Sequence, residues 1–204
     1  MIGPETGVGP TASQHAALNA LLAAGFAACL AYPLGVFAPL PLPARTLCLA
    51  AFGPLLGLGS YGLFRLLSLE APCVRAALGA AANAIAGALF TAMMLVQLAA
   101  GERGEGTYAQ STWLGLDVAW DVYIGTGTLL LASAAAGHAW FGRIIGASGV
   151  VIAVLLLVLN LSTFPTPPAD AGLFDAGPLV GGWYLVVTIA AWRGLRRMRP
   201  IPTT

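Results

Sequence analysis

Asp117 and Asp121 are the residues of this chain whose type and spacing come closest to chemistry. They stand in the run Leu116-Asp-Val-Ala-Trp-Asp-Val-Tyr123, four positions apart, so on a helix they share one face. A charged group at the centre of a membrane helix costs about 2.5–3.5 kcal/mol to insert, so its presence there requires a physical reason. Two chemical roles fit: a titrating group in proton-linked binding, or a counter-charge for a cation. Intramembrane aspartyl proteolysis does not fit, because it needs carboxyls on facing helices that share one proton. Two structural roles stand beside these. Asp117 would be an interfacial residue near a helix start, favoured by the dipole and paired with Arg45. Asp121 would be a structural carboxyl linked to a neighbouring helix, with Asn160 as its partner.

Other polar side chains fall at similar depth. Counting about 1.5 Å per residue from the inner membrane edge puts Asp121 at about 22 Å, Asp117 at about 28 Å, and Tyr32 and Asn160 at about 24 Å. Tyr123 and Gln97 lie in the same outer half, and Trp183 and Tyr184 come near mid-depth. If these groups point inward they form a polar pocket open toward the outer face. The expected binding set is therefore Asp121, Asn160, Tyr32, Asp117, Tyr123, Trp183 and Tyr184. Asn83 is expected to hydrogen-bond between helices, and Trp113, Trp120, Trp140 and Trp192 to sit in the aromatic belts.

The elements that must position these groups are long apolar runs. Of 204 residues, 58% are hydrophobic and 8% charged, with a mean hydropathy of +0.85, so lipid is the solvent. The runs predict an all-α polytopic bundle of six transmembrane helices at Ala16–Phe37, Arg45–Leu67, Val74–Ala100, Leu116–Ala136, Arg143–Thr163 and Pro178–Trp192. The sixth is short, about 22 Å, and spans only if Arg193 and Arg196 snorkel. A barrel would alternate over about 10 residues, and these runs are continuous. One domain, 16–192, is flanked by a cytoplasmic segment, 1–15, and a basic tail, 193–204.

Arginine sets the orientation. Arg65, Arg75, Arg143, Arg193, Arg196, Arg197 and Arg199 fall on one side and Arg45 and Arg103 on the other, which predicts both termini inside. Met1–Gln14 lacks the positive start of a cleavable signal. All nine basic residues counted as Lys+Arg are arginine. Without lysine there is no phosphate-loop lysine and no Schiff base. With two histidines, His15 and His138, neither a three-histidine zinc site nor two bis-histidine haems can form. Cys29, Cys48 and Cys73 are too few for a metal or disulfide framework. No cofactor, metal or nucleic acid is expected. Gly57-Leu-Gly-Ser-Tyr-Gly62 matches the dinucleotide fingerprint G-x-G-x-x-G, but it lies inside an apolar run with no preceding strand. Its glycines read as packing positions.

Two loops are long. Gly101–Gly115 opens the fourth span with Ser111 or Thr112 as N-cap. Thr163–Gly177 carries prolines that forbid a regular helix, and would press on the membrane surface or tuck over the bundle. Gly53-x3-Gly57, Gly142-x3-Gly146 and Gly177-x3-Gly181 are spaced for close helix approach. The expected partners are the lipid bilayer, anionic lipid at the arginine-rich tail, and a second copy or a larger membrane complex.

The stretch from Asn160 through Thr-Phe-Pro-Thr-Pro-Pro to Pro178, running on to Gly182-Trp-Tyr184, resembles the last third of small bacterial six-helix integral membrane proteins of unknown function. The resemblance covers the second half of the chain and implies a multi-pass protein of the bacterial inner membrane, with no activity to carry over. Three functions remain open. The pocket binds or passes a small solute or proton; or the chain is a non-catalytic accessory or scaffolding subunit; or it is a lipid-modifying enzyme, for which no nucleophile–base set or metal acids are found. No inverted repeat relates the two halves, which weakens the transporter form of the first.

Overall fold

The computed structural model describes residues 10–104 and 106–198. Residues 1–9 of the N-terminal segment, Glu105 between the third and fourth helices, and residues 199–204 of the basic tail with Arg199 lie outside the described residues. The chain is all-α, with α1 at Ala12–Phe37, α2 at Leu42–Leu67, α3 at Val74–Arg103, α4 at Thr107–Ala135, α5 at Gly142–Thr163 and α6 at Gly177–Arg197. The first five are long and apolar enough to cross a membrane.

Local chemistry sets several boundaries. Thr11 and Gln14 form a capping box at the start of α1, which satisfies two donors that the first turn leaves unpaired. Pro41 precedes α2 and Pro178 opens α6, where a missing N–H costs nothing. Gly104 ends α3 in the left-handed region at φ 67. The expected cap of α4 is corrected: the helix begins at Thr107, and the Ser111 and Thr112 hydroxyls instead donate back to the Thr107 and Tyr108 carbonyls. The sixth apolar run stays short, and α6 is not among the helices long and apolar enough to cross a membrane, but the helix itself runs on. At 21 residues α6 is about 32 Å long, because Arg193, Arg196 and Arg197 continue the helix.

Each helix packs on its neighbours in sequence, and α6 closes on α1, so the bundle is a ring in which adjacent helices run antiparallel. The start of α1 and the end of α6 meet at one end of the ring. There His15 donates from Nε2 to the Leu195 carbonyl at 3.1 Å, and Trp192 Nε1 donates to Asn19 Oδ1 at 2.8 Å. The loops after α1, α3 and α5 gather at the opposite end.

Close backbone contact holds the α1–α2–α3 side. A Cβ on Gly25 would come within 3.1 Å of Gly59 Cα, and one on Gly87 within 2.5 Å of the Gly53 carbonyl. In Gly57-x-Gly59-x-x-Gly62, Gly59 therefore meets α1 backbone and Gly62 meets Leu21. These glycines are packing positions inside a helix. Outward faces carry large apolar side chains, Ile144 at 86% and Leu47 at 70% exposed among them, as a lipid-facing surface requires.

Candidate functional site

The face that places Asp117 and Asp121 together on α4 also carries Trp120 and Ile124, at the spacing of one helical stripe. All four line a cavity of about 320 Å³ at the end of the ring opposite the chain termini. From α1 it takes Tyr32 and Cys29, from α2 Phe52 and Ser60, from α3 Phe90 and Gln97, from α5 Asn160, and from α6 Tyr184. Pro167, Pro168 and Asp175 of the α5–α6 loop complete its mouth. The loop thus tucks its prolines over the bundle while Phe164 and Phe174 stay exposed.

Unequal helix lengths shape the mouth. Tyr32, Phe52, Phe90 and Trp120 are in mutual ring contact and mark one level. From that level α1 runs only about 8 Å to its end at Phe37, whereas α3 and α4 run about 20 Å further to Arg103 and Thr107. The α3–α4 hairpin therefore stands above the cavity as a wall.

Asp121 is 6% exposed. Neither it nor the half-buried Asp117 makes a hydrogen bond or ion pair with another described residue. Three carboxylates act on one another here: Asp117 and Asp175 on Asp121, and Asp175 on Asp117. Among the described residues no arginine or histidine lines the cavity. The expected pairing of Asp117 with Arg45 does not form, because Arg45 Nε donates to the Gly35 carbonyl at 3.1 Å. Nor does Asp117 sit at a helix start, since α4 begins ten residues earlier. Asn160 is buried, but its amide nitrogen donates to the Leu156 carbonyl of its own helix at 3.1 Å, not to Asp121.

The floor is a buried hydrogen-bond network. Asn83 Nδ2 donates to Ser60 Oγ at 2.9 Å and to the Tyr184 hydroxyl at 2.6 Å, and that hydroxyl pairs with Thr128 Oγ1 at 3.0 Å. With Tyr184 accepting from Asn83, its own proton is free for Thr128, and Ser60 keeps a proton for the cavity it lines. Asn83 thus joins three helices. Below it, toward the chain termini, Leu22, Leu66, Leu131 and Leu195 are at most 1% exposed.

Of the expected set, Asp121, Asp117, Asn160, Tyr32 and Tyr184 line this one cavity. Tyr123 and Trp183 do not. Tyr123 is two residues from Asp121, about 200° around the helix, and is 40% exposed on the outside. Trp183 turns toward α5, where its Nε1 donates to the Ile145 carbonyl at 2.9 Å and its ring covers Gly149. Trp120 was expected in an aromatic belt and instead packs on Phe52 and Phe90 at the cavity wall. Its position three residues after Asp117 is the signal that would have placed it there. Asp175, Phe52 and Phe90 had no comparable signal, because their approach depends on how separate elements pack. Gly177 and Gly181 were expected at a helix contact. Both line the cavity, and a Cβ on Gly181 would meet nothing within 4 Å.

Among the described residues no group of three or more His, Cys, Asp or Glu is arranged to hold a metal ion. Comparison with known proteins finds no matching family, no matching curated protein and no matching solved structure. Function is therefore argued from the cavity itself.

Proposed function

We propose that this is a six-span protein of the bacterial cytoplasmic membrane, with both termini in the cytoplasm, that takes a small solute or a proton into a pocket in the outer half of its bundle. The observation that carries the reading is the Asp121 carboxyl, buried on a cavity wall without a hydrogen-bond partner among the described residues. A carboxylate removed from water is stable only if it is neutralised or paired. Nothing in the surrounding wall does this, whereas a proton or a cation entering the cavity would.

Orientation is supported by the arginine bias, with Arg65, Arg75, Arg143, Arg193, Arg196 and Arg197 at the end of the ring where α1 begins and α6 ends. At about 32 Å, α6 is long enough to serve as the sixth span with its arginines at the interface. Arg196, whose guanidinium lies 5.6 Å from the Trp192 ring centre, would meet anionic lipid there. The buried leucines below the floor favour binding over free passage.

The test is proton or ion uptake, with binding measured in parallel, by proteoliposomes holding wild type or Asp121→Asn. Uptake or binding lost in the folded variant is expected. Behaviour unchanged by the substitution would sink the assignment of Asp121. Silence in both proteins would move the weight to an accessory subunit that packs on other membrane proteins.

A further inference from the structure

The wall chemistry of the pocket narrows what it accepts. Tyr32, Phe52, Phe90 and Trp120 come from four different helices and meet at one level of its wall. Ring centres are 4.3 Å apart for Phe52 and Phe90, 4.9 Å for Phe90 and Trp120, and 5.4 Å for Tyr32 and Phe90. All four line the cavity. Aromatic faces carry negative potential and attract weakly hydrated cations.

Beside the rings stand the Asp117, Asp121 and Asp175 carboxylates, with no arginine or histidine among the described residues on the wall. Such a mouth concentrates cations and repels anions. A compact metal ion would need oxygen ligands converging at about 2.0–2.6 Å, and these carboxylates are not arranged for it. A larger cation with spread charge needs only nearby negative charge and aromatic surface. Leu56 and Ile124 supply an apolar lining deeper in, and Met93 supplies one above the rings.

We infer that the pocket binds an organic ammonium ion with an apolar body, its charge held between the three carboxylates and the aromatic quartet. The inference rests on the pocket reading above and names its ligand class. A volume of about 320 Å³ suits a small aromatic or aliphatic amine. The same ammonium chemistry is carried by a free solute and by an ethanolamine lipid headgroup.

The test is calorimetric titration of the purified full chain in phosphatidylglycerol nanodiscs with benzyltrimethylammonium, benzyl alcohol and phenylacetate. We expect the cation to bind about tenfold or more tighter than the alcohol, and the anion not to bind. Asp121→Asn and Phe90→Leu should each weaken the cation by roughly tenfold, and Gly181→Leu, which fills open space, should abolish it. A thermal melt accompanies each variant, and Phe52→Leu replaces Phe90→Leu if the latter does not fold. Phosphatidylethanolamine added to the discs weakens the cation if the headgroup is the natural source and leaves it unchanged if a free solute is.

Equal binding of cation and alcohol overturns the inference, as does cation binding indifferent to ring loss. In either case, alcohol binding that is lost in Gly181→Leu leaves the pocket reading standing. Absence of all binding also overturns the inference, and the pocket reading then stands or falls on Asp121-dependent proton uptake.

Discussion

Asn83 on α3 donates to the Tyr184 hydroxyl on α6 at 2.6 Å, joining two helices that lie across the ring from each other. Removing that hydroxyl takes a partner from two buried groups at once, the Asn83 amide and Thr128. Tyr184→Phe is expected to destabilise the protein by about 1–3 kcal/mol, with ligand binding reduced far less. Reversible unfolding in mixed micelles measures the first and titration of the folded fraction the second. A stability equal to wild type would show that the network is not a structural tie.

Asp121→Asn should behave in the opposite way. The amide is nearly isosteric and removes a buried group that the fold does not pair, so the cost of holding a charge there disappears. The melting temperature is expected to match or exceed that of wild type while cation binding weakens by roughly tenfold. A clear drop in melting temperature would mean that the carboxyl is a structural link after all.

Glycines in this bundle should fall into two classes. A side chain at Gly59 would run into the Gly25 backbone, and one at Gly87 into Gly53. Gly59→Val and Gly87→Val are therefore expected to destabilise by about 1–3 kcal/mol or more, since helices at backbone contact must part. Gly181→Leu should leave folding nearly unchanged, because nothing lies within 4 Å of its Cβ position, yet empty the cavity of ligand. Comparing folded yield and melting temperature across the three variants checks the division.

How much of this was legible in the sequence depends on the distance over which each feature is encoded. Apolar runs are a local property, so five of the helices that are long and apolar enough to cross a membrane follow from composition. Helix ends were less legible: α4 gains a stretch from Thr107 to Gly115 that is too polar to read as a span and is nonetheless helical. The grouping of Asp117, Asp121, Tyr32, Asn160 and Tyr184 on one cavity was expected from depth alone. Depth gives height but not azimuth, which is why Tyr123 and Trp183 were placed with them and are not there. Trp120 was readable from its helical stripe. Asp175 was not, because only the folded proline loop brings it over the mouth.

Cys29 offers a reporter of cavity depth. It lines the pocket from α1 and is a free thiol. In a Cys48→Ser, Cys73→Ser background, a small methanethiosulfonate reagent is expected to label Cys29 in the folded protein, and adding Gly181→Leu should slow that labelling several-fold. Mass spectrometry of the intact protein follows the reaction. A thiol that stays unmodified until denaturant is added would show that the pocket stops above it.

The buried leucines Leu22, Leu66, Leu131 and Leu195 lie below the floor, on the side of the cavity away from its mouth. A cavity that opens only at its mouth equilibrates with one compartment alone, so its occupancy reports the concentration on the side its mouth faces. It does no vectorial work while those leucines stay packed. On the pocket reading proposed above, the molecule would be a detector or a reservoir for one face of the membrane. To become a pump it would need a second shape, in which four leucines from α1, α2, α4 and α6 separate together.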